Sequence, residues 1–321
     1  MIKKIICINL IVIFVVLCVI EILCFQTYKR IYTPLFEAQL KNFKNREEIR
    51  KLLEIRYHKA KKFVYEERIA NCLPKVYKGN KKGGIVTIGC SYTEGAGLEE
   101  NQSFAYKLNQ LTGKTTYNRG ISATGTQYVY RQLADKNFKK EIPEVDYVIY
   151  TFIYDHFYRL FRDYVTYGNS NLHINYYLND KNELREGKHP FWFLYTFYTT
   201  RLISEYKEQR SYDEFDEKYA VFLKLIEESI KEMKKNYPNA KFILLEVPQG
   251  SMCLSDYQAG TEELTKEQIK DIEDLGAIYV NAEKLVGHQL RDTEKYRMPD
   301  KDHPSERVWD EIAPALVKKF M

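Results

Sequence analysis

The segment that most constrains the fold is residues 83–97, which read GGIVTIGCSYTEGAG. The apolar run at residues 85–88 is typical of a fully buried strand, and it ends at Gly89, Cys90 and Ser91 before polar residues begin. A serine at a strand end lies at the rim of a parallel sheet, where open α/β folds place their ligand sites. Because serine after glycine is also a common turn residue and helix N-cap, the segment alone favours a turn over a catalytic site.

The far end of the chain supplies the other groups that serine chemistry needs. Residues 298–304 read MPDKDHP, so Asp300 and His303 share a loop just before the closing helix. Ser-His-Asp chemistry requires a general base that takes the hydroxyl proton and an acid that fixes the tautomer of that base. The two segments together predict Ser91 as the nucleophile, His303 as the base and Asp300 as the acid.

Three blocks of residues carry a resemblance to a known family. Residues 89–93 read GCSYT, residues 118–125 read NRGISATG, and Asp300 and His303 form the last block. These blocks resemble those of the SGNH (GDSL-like) hydrolases, in a Gly-Cys-Ser-[Phe/Tyr]-Thr variant, and the match covers residues 84–155 and 241–321. The resemblance implies a catalytic serine at Ser91 and an oxyanion hole that includes the amides of Ser91 and Gly120.

The family pattern has four blocks, and its third, which lies between residues 118–125 and the last block, is altered in this chain. The family usually has Asn-Asp after a buried strand, whereas this chain has Tyr154, Asp155 and His156, with Arg159 following. Alignment on the acid puts Tyr154 at the Asn position, and alignment on Arg159 puts Asp155 there. We prefer Asp155, because a short polar side chain can reach the hole. An ionised Asp155 would oppose an oxyanion, so we expect it to be protonated or hydrogen-bonded by His156.

An apolar run at the N-terminus predicts a membrane anchor. Residues 5–25 are almost all Ile, Val, Leu, Phe and Cys, interrupted only by Asn9 and Glu21. A helix of this length spans roughly 30 Å, the thickness of the hydrocarbon core. A cleaved signal peptide is the alternative, but the run exceeds about 15 residues and no small-residue cleavage site follows it. We therefore expect residues 1–31 to be an uncleaved, single-pass membrane anchor whose transmembrane helix covers residues 5–25.

The orientation of this anchor does not follow from its flanking charges, which are similar on both sides. Anchored relatives place the hydrolase domain outside the cytoplasm, so the resemblance implies an extracytoplasmic domain at the cell membrane. Past the anchor region the only cysteines are Cys72, Cys90 and Cys253, which imply no disulfide framework. We expect the Cys90 side chain to point away from Ser91 and to pack beneath the loop, which disfavours a thiol nucleophile.

The remaining patterns predict the domain organisation. Residues 32–82 are rich in Glu, Lys, Arg and Leu and predict a helical connector, and residues 83–321 predict the hydrolase-like domain. The alternation of strand and helix patterns predicts an α/β fold, a three-layer sandwich with a parallel, flavodoxin-like sheet. Strands are expected at residues 85–88, 115–117, 145–153 and 241–247, with an edge strand at 277–280. One helix is expected across residues 127–138.

Residues 157–190 do not fit the strand and helix alternation. Polar turns at residues 168–171 and 179–182 flank the alternating run at residues 172–176, which predicts a β-hairpin insertion and a lid over the site. The many aromatic residues of this segment either pack a small core of the insertion or form a flat platform for sugar rings. The first of these interpretations is the favoured one.

Charge and ligand spacing disfavour two classes of partner. The net charge of +5 is spread over mixed Lys and Glu runs, which indicates solvated helix faces rather than a nucleic-acid surface. The spacing of His156, His173, His288 and Asp302 matches no metal-ligand pattern, so we expect neither a metal nor another cofactor.

The expected function is acyl transfer through an acyl-Ser91 intermediate. The resemblance and the anchor imply a membrane-anchored serine esterase or O-acyltransferase, which removes or transfers O-acetyl groups on a cell-surface glycan. Hydrolase and transferase share the acyl-enzyme step, so both stay open. A non-catalytic glycan-binding or assembly protein is the alternative, favoured by the altered third block, and a membrane-proximal lipid esterase is a third possibility.

Overall fold

The computed structural model of the chain describes residues 16–24, 26, 75–122, 124–161, 175–187, 215–249, 263–298 and 302–321. The chain divides into two units, Met1–Ile49 with Lys188–Phe215 and Arg50–Gly187 with Asp216–Met321. In the first unit, residues 16–24 are helical. None of the helices in the described part of the chain is both apolar and long enough to cross a membrane. The predicted anchor at residues 5–25 lies partly outside that part and stays a prediction.

Eight strands occur among the described residues. They are β1 (Lys75–Tyr77), β2 (Lys81–Gly89), β3 (Lys114–Gly120), β4 (Tyr147–Phe152), β5 (Asn175–Leu178), β6 (Leu184–Gly187), β7 (Lys241–Glu246) and β8 (Ile278–Asn281). Six of them form one sheet in the order β1-β3-β2-β4-β7-β8. All neighbours in this sheet are parallel except β1, which is antiparallel to β3. The predicted parallel sheet with its last strand at the edge is confirmed.

The helices of the second unit follow the strands in alternation. They are α1 (Ser91–Glu94), α2 (Phe104–Thr112), α3 (Thr126–Leu133), α4 (Phe138–Glu141), α5 (Asp155–Phe161), α6 (Phe215–Asn236), α7 (Lys266–Asp274), α8 (Ala282–Val286), α9 (Thr293–Tyr296) and α10 (Glu306–Phe320). Helix α2 begins where the Ser103 side chain accepts a hydrogen bond from the Tyr106 amide, as an N-cap does.

Alternate residues of the central strands enter two separate cores. Ile85 and Ile149 pack with residues of α2 and α10, whereas Val86 and Val148 pack with residues of α3, α6 and α7. Because successive side chains of a strand point to opposite faces, both faces of the sheet are covered by helices. This confirms an α/β fold with helix layers on both sides of a mostly parallel sheet.

The closing helix is fixed against the helix that follows the serine segment. Phe104 of α2 and Trp309 of α10 are fully buried, and their ring centroids lie 4.9 Å apart. Lys107 of α2 also pairs with Glu306 of α10, with 2.9 Å between Nζ and Oε1. Burial of large aromatic side chains contributes most to such a contact, about 1.5–3 kcal/mol for each. The loop that precedes α10 is thereby held near the end of β2.

Two predicted boundaries need correction. The predicted connector at residues 32–82 includes β1 and the start of β2, because Lys75–Tyr77 pairs with β3 and forms the sheet edge. The helix predicted across residues 127–138 is two helices, α3 and α4. Between them the Asp135 carboxylate accepts the Asn137 amide at 2.9 Å, and its carbonyl accepts the Phe138 amide at 2.9 Å. Such local turns of Asp compete with helix continuation.

The predicted hairpin is confirmed as β5 and β6, an antiparallel pair joined by a turn at residues 179–182. Tyr176 is buried in the main core, and its ring packs edge-on against Tyr130 of α3 at 5.7 Å. This tyrosine therefore does not pack a separate core of the insertion, whereas Tyr177 is 49% exposed. Residues 162–174 and 188–190 lie outside the described residues, so the lid and the sugar platform stay predictions.

A buried carboxyl group joins the ends of the last two strands. Glu246 of β7 is 4% exposed and accepts hydrogen bonds from the Leu264 amide at 3.2 Å and from Asn281 Nδ2 at 3.2 Å. The Tyr279 hydroxyl also donates to this carboxyl group. Burial raises the pKa of Glu246 above its usual 4.5, although the hydrogen bonds from Tyr279, Leu264 and Asn281 oppose that rise.

Replacing Glu246 by Gln should change how stability depends on pH. Because the pKa of Glu246 is raised in the folded state, its contribution is fully present below about pH 4.5 and is lost as pH rises through the folded pKa. The free energy of unfolding of the wild type should therefore fall, relative to that of Glu246→Gln, as pH rises from about 4 to about 7. Urea unfolding of the full chain in detergent measures this difference.

The matched control is Glu267→Gln, since Glu267 is an exposed residue in the first turn of α7. Its difference from the wild type should vary less with pH than that of Glu246→Gln. Equal pH profiles for the two variants would contradict the role assigned to the buried carboxyl group.

Candidate active site

Ser91 stands at the carboxyl end of β2, where the chain turns sharply into α1. Gly89 has a φ of +151°, and a Cβ at this position would lie 2.4 Å from Thr93 Oγ1. Only glycine avoids this clash, so the strand can end directly beneath the serine. Ser91 is the first residue of α1, and amides in the first turn of a helix have no acceptor within that helix. The serine is half-buried at the carboxyl end of the sheet.

His303 reaches the serine from a loop between α9 and α10. The Met298 amide donates to the His303 carbonyl at 2.8 Å, and the Ser305 amide donates to the Tyr296 carbonyl at 2.9 Å. His303 is 4% exposed, and its Nε2 lies 2.9 Å from Ser91 Oγ. The structure therefore brings together the two residues that the sequence predicts as nucleophile and base.

The predicted acid, Asp300, lies outside the described residues, so its role stays a prediction. The structure instead describes the neighbouring Asp302, whose Oδ2 lies 3.8 Å from His303 Nδ1. The Tyr92 hydroxyl lies 2.8 Å from the Asp302 carbonyl and 3.1 Å from its Oδ1. Sequence reasoning considered Asp302 only as a metal ligand and gave Tyr92 no role. Their adjacency to His303 and Ser91 along the chain was the available signal.

The groups on the two sides of the His303 ring indicate which nitrogen carries its proton. For Nε2 to accept the Ser91 hydroxyl proton, the neutral ring must carry its own proton on Nδ1. A carboxylate on the Nδ1 side favours that tautomer, and Asp302 lies on that side at 3.8 Å. The arrangement is therefore suited to general-base chemistry at Ser91.

The oxyanion role predicted for Gly120 stays a prediction. Its amide donates to Asn118 Oδ1 at 3.0 Å, so this donor already has an acceptor. In the same loop, the Ile121 amide donates to the Gly89 carbonyl at 2.9 Å and the Ser122 amide donates to Glu94 Oε2 at 2.8 Å. Close packing explains the glycine, because a Cβ at position 120 would lie 2.1 Å from the Glu94 amide nitrogen. Of the two predicted backbone donors, the Ser91 amide keeps its position at the first turn of α1.

The expectation that His156 bonds Asp155 in the third block requires a correction. His156 does not bond Asp155: its Nδ1 lies 2.7 Å from the Tyr150 hydroxyl. Asp155 is 3% exposed, and its Oδ2 accepts from Arg159 Nε at 2.6 Å. An ion pair at i, i+4 positions within α5 therefore compensates this carboxylate. The Asp155 amide donates to Gln249 Oε1 at 3.0 Å, which ties α5 to the end of β7.

Arg159 links this ion pair to the loop that follows β3. Its Nη1 donates to the Thr124 carbonyl, in addition to the bonds that its Nε and Nη2 make with Asp155. The positive charge also affects His156: burial lowers the pKa of His156 well below its usual value, and the nearby guanidinium lowers it further. His156 is therefore a neutral, fully buried ring that supports the end of β4.

Cys90 lies beneath the turn, as predicted. The residue is fully buried in the core that contains Ile153 and Trp309. Burial raises the pKa of the Cys90 thiol, although the charge of Arg159 opposes this rise. A thiol that stays protonated and is shielded from solvent is a poor nucleophile. The geometry therefore favours Ser91 over Cys90 as the reacting group.

The candidate metal ligands do not assemble into a site in the part of the chain that the structure describes. His156 contacts Tyr150, and His288 Nε2 lies 2.6 Å from Glu311 Oε2. Among the described residues, no group of three or more His, Cys, Asp or Glu side chains is arranged to hold a metal ion. His173 lies outside these residues.

The fold and the site together define the class of α/β proteins in which a serine is paired with a histidine. A serine is hydrogen-bonded to a buried histidine at the carboxyl edge of a parallel α/β sheet, which is the arrangement of an activated serine nucleophile and its general base. Comparisons with protein-family models and with curated proteins give no match.

Several solved structures are similar to this chain at low sequence identity. A protein described as lipolytic, of the G-D-S-L family from Desulfitobacterium hafniense, is 11% identical with a TM-score of 0.41, over 74% of this chain and 99% of that chain. A protein from Parabacteroides merdae that is described as a GDSL-like lipase is 15% identical with a TM-score of 0.44, over 75% of this chain and 98% of that chain. An acetyl xylan esterase from Butyrivibrio proteoclasticus is 13% identical with a TM-score of 0.40, over 74% and 63%.

Proposed function

We propose that this chain is a serine esterase or acyltransferase of SGNH type that works through an acyl-Ser91 intermediate. The observation that carries the proposal is the hydrogen bond of 2.9 Å between His303 Nε2 and Ser91 Oγ. This distance is within the range over which a base takes a proton from a nucleophile. The predicted Asp300 would complete the triad by orienting the imidazole.

The reaction follows from this geometry. His303 Nε2 takes the hydroxyl proton while Ser91 Oγ attacks the carbonyl carbon of an ester. The bond from that carbon to the alcohol oxygen then breaks, and the alcohol leaves with the proton from His303. Water, or the hydroxyl of a second sugar, attacks the acyl group on Ser91 with the same base, and the serine is regenerated. The Ser91 amide stabilises the oxyanion, and one such donor contributes about 10²–10³ in rate.

The proposed substrate is an O-acetylated glycan at the cell surface. The support is the sequence resemblance together with the apolar run at residues 5–25, which we propose to be a single-pass anchor with the catalytic domain outside the cytoplasm. Carbonate extraction of membranes tests the anchor, because the full chain should stay in the pellet and a variant lacking residues 1–31 should not. Release of the full chain by carbonate would contradict it.

The test of the chemistry uses the full chain in detergent with 4-nitrophenyl acetate and a fluorophosphonate probe. The wild type should hydrolyse the ester and carry the probe on Ser91, and Ser91→Ala should do neither. The matched control is Ser229→Ala, which removes a buried serine hydroxyl that donates to the Leu225 carbonyl within α6. It should keep both properties. Faster turnover of 4-nitrophenyl dodecanoate than of the acetate would favour a lipid esterase instead.

A second candidate is a non-catalytic glycan-binding or assembly protein. Two observations favour it: the Gly120 amide is already bonded to Asn118, and Asp155 is paired with Arg159 where the family has an oxyanion donor. An inert wild type that does not react with the fluorophosphonate would contradict the esterase proposal and support this candidate.

A further inference from the structure

The residue after the nucleophile contacts the residue before the general base. Tyr92 follows Ser91, and its hydroxyl lies 2.8 Å from the carbonyl oxygen of Asp302, which precedes His303. The hydrogen bond between Ser91 and His303 is thus accompanied by a second contact, one residue further along each segment. These two contacts join the start of α1 to the loop before α10.

The Tyr92 side chain is well fixed at this position. The residue is 2% exposed and packs in the core that contains Phe104 and Trp309. Its ring centroid also lies 5.7 Å from that of His303, at an angle of 55°. A ring packed on this scale holds its hydroxyl in one place, because buried side chains occupy single rotamers in a close-packed interior.

The carbonyl that accepts the hydrogen bond from Tyr92 belongs to the peptide group that leads into His303. The Asp302 carbonyl and the His303 amide belong to one planar peptide group, so a hydrogen bond to that oxygen fixes the orientation of the peptide plane. Since the imidazole is attached to the next α-carbon, this constraint is passed directly to the ring. The geometry explains how Nε2 stays within hydrogen-bond distance of Ser91 Oγ.

The same hydroxyl acts on the Asp302 carboxylate. It lies 3.1 Å from Oδ1, while Oδ2 lies 3.8 Å from His303 Nδ1. A hydroxyl has one proton, so it donates to either the carbonyl or Oδ1 at a given moment. In both cases Tyr92 restrains Asp302 on the Nδ1 side of the imidazole, opposite the nitrogen that faces Ser91.

We propose that Tyr92 is a positioning residue for the general base, whose hydroxyl fixes the peptide and carboxylate of Asp302 so that His303 Nε2 faces Ser91 Oγ. The inference rests on the proposed esterase or acyltransferase activity. The Tyr92 hydroxyl contacts Asp302, and Tyr92 acts on the general base through that residue.

The test is Tyr92→Phe in the full chain, which removes one oxygen and keeps the buried ring. Turnover of 4-nitrophenyl acetate should fall about tenfold in kcat, the effect of one lost hydrogen bond on a reacting geometry, while KM stays within about twofold. The rate of fluorophosphonate attachment to Ser91 should fall by a similar factor. The matched control is Tyr147→Phe, which removes another hydroxyl that donates to a backbone carbonyl, that of Phe320 at 2.7 Å. This control should keep wild-type kcat.

The pH profile separates positioning from a general loss of structure. Ser91, Tyr92 and Asp302 face His303 among the described residues, and the predicted Asp300 belongs to the same loop. Without the Tyr92 donor, the Asp302 carboxylate is no longer held on the Nδ1 side and stabilises the imidazolium less, so the acidic limb of kcat/KM should move to lower pH. NMR titration of His303 should show the same direction of change.

Several outcomes would overturn the inference. Wild-type kcat and an unmoved pH profile in Tyr92→Phe would do so, as would an equal loss in Tyr147→Phe. An inert wild type would instead contradict the proposed function. In that case the NMR titration of His303 still decides the positioning role, because a change in Tyr92→Phe supports it and an unchanged titration midpoint overturns it.

Discussion

Replacing His303 by Gln should lower kcat for 4-nitrophenyl acetate by about 10⁴- to 10⁶-fold. Among the described residues, the His303 imidazole is the basic group that lies 2.9 Å from the Ser91 hydroxyl. A glutamine side chain cannot take up the hydroxyl proton. A neutral serine hydroxyl attacks an ester poorly, so most of the rate depends on this proton transfer. The full chain in detergent, assayed with excess ester, measures kcat directly.

The matched control for this variant is His288→Gln. His288 pairs with Glu311 at 2.6 Å, and its side chain is 48% exposed. Its replacement should leave kcat within about twofold, because exposed ion pairs contribute little to stability. A kcat for His303→Gln within tenfold of the wild type would remove His303 from the role of general base. Rate loss in both variants would indicate instead that the α9 to α10 region had lost its fold.

The parts of the fold that the sequence predicted well are those that depend on local apolar pattern. The runs that became β2, β4 and β7 are apolar on both faces, as strands buried between two helix layers must be. The hairpin was predicted from the alternating run at residues 172–176 between polar turns at 168–171 and 179–182, and the second of these turns joins β5 to β6. These signals lie within a few residues of the structure that they specify.

The missed elements depend on partners that are distant in sequence. Strand β1 is a three-residue segment in a charged stretch, and it is a strand because Lys75–Tyr77 pairs with β3 across the sheet edge. No periodicity of its own marks it. Similarly, the division of the predicted helix at Asp135 reflects a turn in which a side chain competes with the helical hydrogen bonds.

The site shows the same division between local and distant information. Ser91 and His303 carry distinctive motifs, so their pairing was predictable. The Gly120 amide donates to Asn118, and the Asp155 carboxylate is paired with Arg159. Neither contact was predicted, because Arg159 served only to align the third block with the family pattern. The i, i+4 spacing of Asp155 and Arg159 on a predicted helix was the signal for an ion pair.

Replacing Arg159 by Met should destabilise the fold by about 3–5 kcal/mol, because it removes the positive charge that faces the buried Asp155 carboxylate. The side chains of Arg159 and Asp155 are only 11% and 5% exposed, so water cannot compensate the lost ion pair. The variant also removes the donor to the Thr124 carbonyl, which connects the loop after β3 to α5. Urea unfolding of the full chain in detergent measures the change.

Two further variants separate the buried charge from other effects of the Arg159 substitution. The matched control is Arg185→Met, which removes the partner of Glu183 in an exposed pair with side chains 55% and 51% exposed. It should change the free energy of unfolding far less than Arg159→Met, because exposed ion pairs contribute little to stability. The double variant Arg159→Met/Asp155→Asn removes both charges and should recover part of the lost stability, because no unpaired ion is then buried. If Asp155→Asn adds to the loss instead, the carboxylate is not the source of the cost. The pair would then act through the geometry of the Thr124 loop rather than through charge.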